Sequence, residues 1–274
     1  ASPSNIICSG TEVTFTSTVT NAGTNPIYQW TLNGTPISGA TSPTYTSSIL
    51  TTGNVIRLQV TSDATCPATT ISSTITMTVN VTRDHSVTIS ASTNNFCPGT
   101  PVTFTAIPIN GGSSPIYTWS LNGSTVGSNS STYTSSTLNN NDQVYVTVTS
   151  SYICPNPLNA ISNIIPMIVR PGTPATPGTI TGQDHACPNI TGLSFSIAPV
   201  LNATTYTWIV PTGWSITGGQ GTTSITVASG NYGQNGNISV TASNSCGTSP
   251  AMALPATVDP GTPAAILSTH VRGI

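Results

Sequence analysis

The sequence has no lysine at all, and its 274 residues carry only four Arg and six Asp or Glu. Without lysine there is no P-loop phosphate contact, no Schiff-base chemistry and no Lys–Asn isopeptide cross-link. A net charge of −2 leaves no electrostatic footprint for nucleic acid or an anionic membrane surface. No apolar run approaches the 18 or more residues of a membrane span, so membrane insertion is not expected. No charged segment followed by an apolar one opens the chain at Ala1, and any export signal is expected to be gone already. Closely spaced CxxC pairs are also missing, which removes the usual zinc frameworks.

Catalytic machinery is equally scarce. No GxSxG elbow accompanies the many serines, and no third partner completes a triad. The acidic positions are Glu12, Asp63, Asp84, Asp142, Asp184 and Asp259, spread along the chain without clustering. That spread supplies neither the paired carboxylates of a glycosidase nor the oxygen cage of a calcium site. Asp84-His85 and Asp184-His185 resemble acid–base dyads, but neighbours in a strand point to opposite faces and do not bond each other. Asp142, after Asn139-Asn140-Asn141, is the best metal candidate, and a hydrogen-bonded turn is its ordinary role. The expectation is therefore no enzyme, no cofactor and no metal.

What the chain does contain is hydroxyl: 51 Thr and 36 Ser, about a third of all residues. Thr, Val, Ile and Tyr favour strands, and 24 Gly with 22 Pro punctuate them. An internal repeat organises the strands. The first unit runs from Cys8 through Tyr28, Trp30 and Tyr45 to Cys66; the second runs from Cys97 through Tyr117, Trp119 and Tyr133 to Cys154. A third, more divergent unit runs from Cys187 through Tyr206 and Trp208 to Cys246. Within each, apolar residues alternate with polar ones, as at Val13 and Phe15, Ile56, Leu58 and Val60, or Val144, Val146 and Val148. Asn33-Gly34 and Asn122-Gly123 mark hairpins. The pattern predicts an all-β chain of three tandem antiparallel β-sandwiches in an extended rod, with Trp30, Trp119 and Trp208 filling the cores. The boundaries fall at 1–82, 83–170 and 171–259, followed by a tail, 260–274.

The motif Cys…YxWxxxG…TSxxxC resembles the Ig-like and PKD-like repeats of large secreted cell-surface proteins of Bacteroidota, gliding-motility adhesins among them. The third unit is similar to a PKD-like module through Tyr206-Thr207-Trp208, Pro211-Thr212-Gly213-Trp214, Gly221-Thr222-Thr223 and Ser243-Asn244-Ser245-Cys246-Gly247. The resemblance implies the sandwich fold and a stalk, adhesin or enzyme appendage. Trp214, which has no counterpart in the other units, is a candidate sugar-stacking platform, although the PKD resemblance implies packing.

Six cysteines without metal spacing point to disulfides and to an extracellular or cell-surface location. Fifteen connectivities are open. The nearly equal intervals of 58, 57 and 59 residues favour Cys8–Cys66, Cys97–Cys154 and Cys187–Cys246. Each Trp follows its first Cys by about 22 residues, unlike the antibody spacing, and this places each bond at a sandwich end.

Pro-Gly-Thr-Pro-Ala opens unit three at Pro171–Ala175 and recurs at Pro260–Ala264, so the tail reads as the opening strand of a further repeat. Unit one has only seven residues before Cys8 and lacks such a strand. Two readings fit: a slice of a longer tandem array, and a subunit that polymerises head to tail by donating Ala265, Ile266, Leu267 and Val271 to another copy. The expected function is a non-enzymatic structural or adhesive fibre whose partner is itself. The alternative is a carbohydrate-binding or spacer module of a secreted enzyme, with surface glycans as partners. With so few charges, the melting temperature should change by no more than a few degrees between low salt and 1 M salt; a large drop contradicts this reading.

Overall fold

The computed structural model describes residues 1–260; the tail residues singled out above, Ala265, Ile266, Leu267 and Val271, lie outside them. The described residues form strands and turns, with no helix among them. The chain is a series of tandem β-sandwiches with antiparallel main sheets. The described residues divide into two compact units, one holding 1–93, 102–135 and 142–166, the other 94–101, 136–141 and 167–260. The division therefore runs through the second repeat and does not follow the sequence boundaries.

In the first repeat Ile27–Leu32 pairs antiparallel with Val55–Thr61, which in turn pairs with Thr69–Ile71 and Ile75–Thr76. Facing this sheet is the pair Val13–Thr16 and Thr44–Ser47. Alternation sends Val13, Phe15, Ile56, Leu58 and Val60 inward, and with Trp30, Leu50 and Met77 they form one core. The second repeat reuses the layout: Ile116–Leu121 pairs with Gln143–Thr149, and Val102–Ile109 pairs with Thr132–Ser135. In the third, Thr205–Ile209, Gly236–Asn244 and Met252–Val258 make one sheet, and Leu193–Ser196, Ser224–Ala228 and Ser215–Gly218 make the other. The Asn-Gly hairpins need two successive positive φ angles, and both have them: 52° and 83° at Asn33-Gly34, and again at Asn122-Gly123.

Each core is centred on the Trp of the YxW motif. Trp30, Trp119 and Trp208 are 4%, 0% and 2% exposed. Their Nε1 groups donate to the carbonyls of Ser42, Ser130 and Thr222, each at 2.9 Å, so the burial leaves no orphan donor. Phe15 and Tyr45 flank Trp30 with ring centroids at 6.0 and 6.1 Å, and Phe104 and Tyr133 flank Trp119 at 6.3 and 5.9 Å. Truncating such a residue leaves a cavity and removes a satisfied hydrogen bond. Trp119→Ala should cost about 3–5 kcal/mol in denaturant unfolding. Ile107→Ala, at a position 58% exposed on the same repeat, should cost no more than about 1 kcal/mol.

Candidate functional site

The disulfides do not close individual repeats. Cys8 bonds Cys154, and Cys97 bonds Cys246, with Cα–Cα distances of 5.7 and 5.5 Å. Cys66 and Cys187 are free and exposed. The pairings expected from the intervals, Cys8–Cys66, Cys97–Cys154 and Cys187–Cys246, are thus replaced by a stagger: the first cysteine of one repeat joins the second cysteine of the next.

Strand direction supplies the reason. Ile6–Cys8 runs parallel to the closing strand Thr78–Asn80, with Cys8 opposite Asn80. Cys8 therefore sits where the chain leaves the repeat. Val55–Thr61 runs the other way: Val55 lies opposite Thr76, Thr61 opposite Thr69, and Cys66 follows beyond Thr61. The seven residues of Val55–Thr61, roughly 20 Å from first to last, separate the two ends. A disulfide requires Cα atoms within about 7 Å, so Cys8 cannot reach Cys66. The third repeat repeats the geometry. Ala186, just before Cys187, lies opposite Val258, while Cys246 follows Gly236–Asn244 at the other end. Parallel pairing of the opening and closing strands was the signal that equal spacing could not carry.

Each bond is embedded in a local clasp. At the first, Arg83–Asp84 pairs parallel with Pro155–Asn156, the Arg83 amide donates to Cys154 O at 2.9 Å, and its guanidinium lies 5.0 Å from the Tyr152 ring centre. The bonded Cys154 is only 2% exposed. At the second, Thr173 Oγ1 donates to Cys246 O at 3.5 Å and Asn244 Nδ2 donates to Gly172 O at 2.8 Å.

A second feature is the incomplete sheet of the first repeat. In the second repeat Ser86–Ala91 pairs with Val102–Ile109 and buries Val87 and Ile89; the side-chain amide of Asn163 bonds both the N–H and the carbonyl of Ile89. Among the described residues, that edge of the first repeat carries a Ser2–Thr14 bridge and no further strand. The strand there spans Val13–Thr16, whereas its counterpart in the second repeat runs for eight residues, Val102–Ile109. Ser17–Asn21 aligns with Ala106–Asn110 in sequence, yet it is not strand: the Ser17 amide donates to Pro43 O at 3.1 Å, and the residues after it lie outside the ladder. Beside it lies a cavity of about 590 Å³. Trp30, Ile56, Leu58, Val60 and Ile75 line one part, Thr16–Ala22 another, and Cys66 also borders it.

The remaining sequence candidates fall away from chemistry. Trp214 is 6% exposed with Nε1 donating to Gln234 O at 2.8 Å, so it packs in the third core and offers no platform for a sugar. His85 is buried with Nδ1 3.2 Å from Pro157 O, whereas Asp84 is exposed. His185 meets Asp259 at 3.2 Å and Thr257 at 2.9 Å, not Asp184. Asp142 accepts from Asn122 Nδ2 at 2.7 Å in a turn. Among the described residues no group of three or more His, Cys, Asp or Glu is placed to hold a metal ion, and no helix is long and apolar enough to cross a membrane.

Residues 173–256 match the PKD-like domain family, and residues 1–81 match a family described as a domain of unknown function (DUF8696). No curated protein matches the chain. Among solved structures, an I-band fragment of titin is 11% identical over 93% of this chain and 95% of the fragment, with a TM-score of 0.39. The ectodomain of mouse nectin-like molecule 4 is 12% identical over 94% and 98%, with a TM-score of 0.37. A marsupial T cell receptor is 12% identical over 92% and 98%, with a TM-score of 0.43. These likenesses concern the fold alone. The third repeat is thus similar to PKD-like domains over 173–256.

The cysteine arrangement has a direct chemical check. Alkylation of the native, unreduced monomer should label two thiols, Cys66 and Cys187, and mass spectrometry should find the other four cysteines unlabelled. Labelling of none or of all six contradicts the arrangement.

Proposed function

We propose that the protein is a non-enzymatic, extracellular structural or adhesive repeat protein that assembles end to end, the segment 260–274 of one copy completing the first repeat of the next. The observation that carries this reading is the open edge of the first repeat. Its cavity lies on the face that, in the second repeat, is covered by Ser86–Ala91. The occupant is argued from the sequence. Pro260–Ala264 repeats the Pro171–Ala175 that opens the third repeat, and fourteen residues follow Pro260, enough for a six-residue strand.

Pairing in trans would give Ser17–Asn21 the neighbour that its counterpart Ala106–Asn110 has, and would extend the ladder begun at Val13–Thr16. Burial of Ile266, Leu267 and Val271 would contribute on the order of 1.5–3 kcal/mol each. Because donor and acceptor are different surfaces of the chain, the contact is heterologous and can repeat from copy to copy. The disulfides and the extracellular character of the Ig-like modules support a location outside the cytoplasm. The scarcity of clustered acids and the burial of Trp214 favour structure over catalysis or sugar binding.

Deleting 261–274 should abolish concentration-dependent assembly in sedimentation experiments while leaving the far-UV circular dichroism that of the dilute, unassembled full chain. Adding a peptide of residues 260–274 to the full chain should cap assembly. Undiminished assembly of the truncated chain, or a full chain that stays monomeric at high concentration, contradicts the proposal.

A further inference from the structure

The two free thiols occupy positions that are bonded elsewhere in the same chain. Cys187 is seated like Cys97. Ala186, before it, has its carbonyl accepting from the Asp259 amide at 2.9 Å, as the Phe96 carbonyl accepts from Arg170 at 2.8 Å. One step earlier, Thr257 donates to Asp184 O and Ile168 donates to Asn94 O, both at 2.8 Å. Cys97, so held, is bonded to the second cysteine of the following repeat.

Cys66 is seated like Cys154. Ser62 Oγ accepts from the Ala64 amide at 3.0 Å, and Ser150 Oγ accepts from the Tyr152 amide at 3.1 Å. The same two hydroxyls donate back to the carbonyls of Asn21 and Asn110, both in the left-handed region with φ of 54° and 55°. The loops that present Cys66 and Cys154 are therefore the same loop, already formed. One thiol is exposed and the other is bonded and buried.

We infer that Cys187 of one copy forms a disulfide with Cys66 of a second copy, continuing between chains the stagger that Cys8–Cys154 and Cys97–Cys246 establish within one. The inference rests on the end-to-end reading above. At the first internal junction the chain itself passes from the closing strand Thr78–Asn80 to the opening strand Ser86–Ala91 of the next repeat, beside the Cys8–Cys154 bond. Between copies the donated 260–274 segment takes that path, and Cys66 borders the cavity it would enter. The non-covalent contact thus delivers the two thiols to each other.

The bond needs an oxidant, and a small external disulfide of the oxidised-glutathione type supplies it. The Cys187 thiolate attacks that disulfide, forms a mixed disulfide and releases one thiolate. The Cys66 thiolate of the second copy then attacks the Cys187 sulfur and releases the other. Two cysteine thiols are oxidised, one disulfide is reduced to two small thiols, and two protons leave the cysteines.

The test uses the full chain, its C66S and C187S variants and the double variant, each incubated with oxidised glutathione and run on non-reducing gels. Wild type should give a reducible ladder. Each single variant alone should stay at monomer size, and their equimolar mixture should give one covalent dimer containing a Cys187–Cys66 linked peptide. The double variant, which keeps both internal disulfides, reports non-covalent assembly by sedimentation. Assembly of the double variant with no ladder from wild type overturns the cross-link and leaves strand donation standing. Dimers from either single variant alone, or a Cys66–Cys187 bond within one chain, overturn the pairing. No assembly of the double variant and no ladder overturn both.

Discussion

The parallel pairing of each repeat's short opening segment with its closing strand is the constraint on which the other features depend. It carries the first cysteine to the end where the chain leaves, as Cys8 lies beside Asn80 and Cys187 follows Ala186 opposite Val258. The antiparallel strand before the closing one carries the second cysteine to the opposite end. A bond within one repeat would have to span the length of the sandwich, so the bonds run between successive repeats and leave one thiol over at each end of the series. A sandwich usually spends its disulfide on its own core; here the cores hold without one, and the sulfur chemistry governs how repeats connect.

The cores manage this through size and satisfaction. A buried Trp with its indole N–H bonded to a backbone carbonyl, flanked in the first two repeats by Phe and Tyr, supplies in each repeat the volume that a disulfide would otherwise accompany. Charge contributes little: the His185–Asp259 contact is more than half exposed on both sides. Ser and Thr supply polar contacts instead, their hydroxyls bonding across strands at Thr14–Thr46 and Thr103–Thr134 and back to the chain at Ser72 and Ser162. Such a surface presents little charge for salt to screen.

Much of the fold was legible because its signals are local and doubled. Alternation named the inward residues of Val13–Thr16, Val55–Thr61 and Gln143–Thr149, Asn-Gly named the hairpins, and the recurrence of YxW named the cores. The cysteine pairing was not legible, because interval length is blind to direction: 58 residues between Cys8 and Cys66 say nothing of which end of the sandwich each occupies. Trp214 illustrates a different limit. A Trp after a Pro-Thr-Gly turn leaves a platform open even where the PKD resemblance implies packing, until Gln234 O is seen accepting its N–H. The cavity in the first repeat was not legible, because it comes from tertiary placement of Thr16–Ala22 against Ile56 and Leu58.

The most direct measurement is disulfide mapping of the purified chain by mass spectrometry of peptides generated at acidic pH without reduction, conditions that prevent exchange. The account predicts linked peptides containing Cys8 with Cys154 and Cys97 with Cys246, and no peptide linking Cys8 to Cys66 or Cys187 to Cys246. Recovery of the within-repeat pairs would show that the two cysteines of a repeat share one end of the sandwich, and would contradict both the stagger and everything built on it.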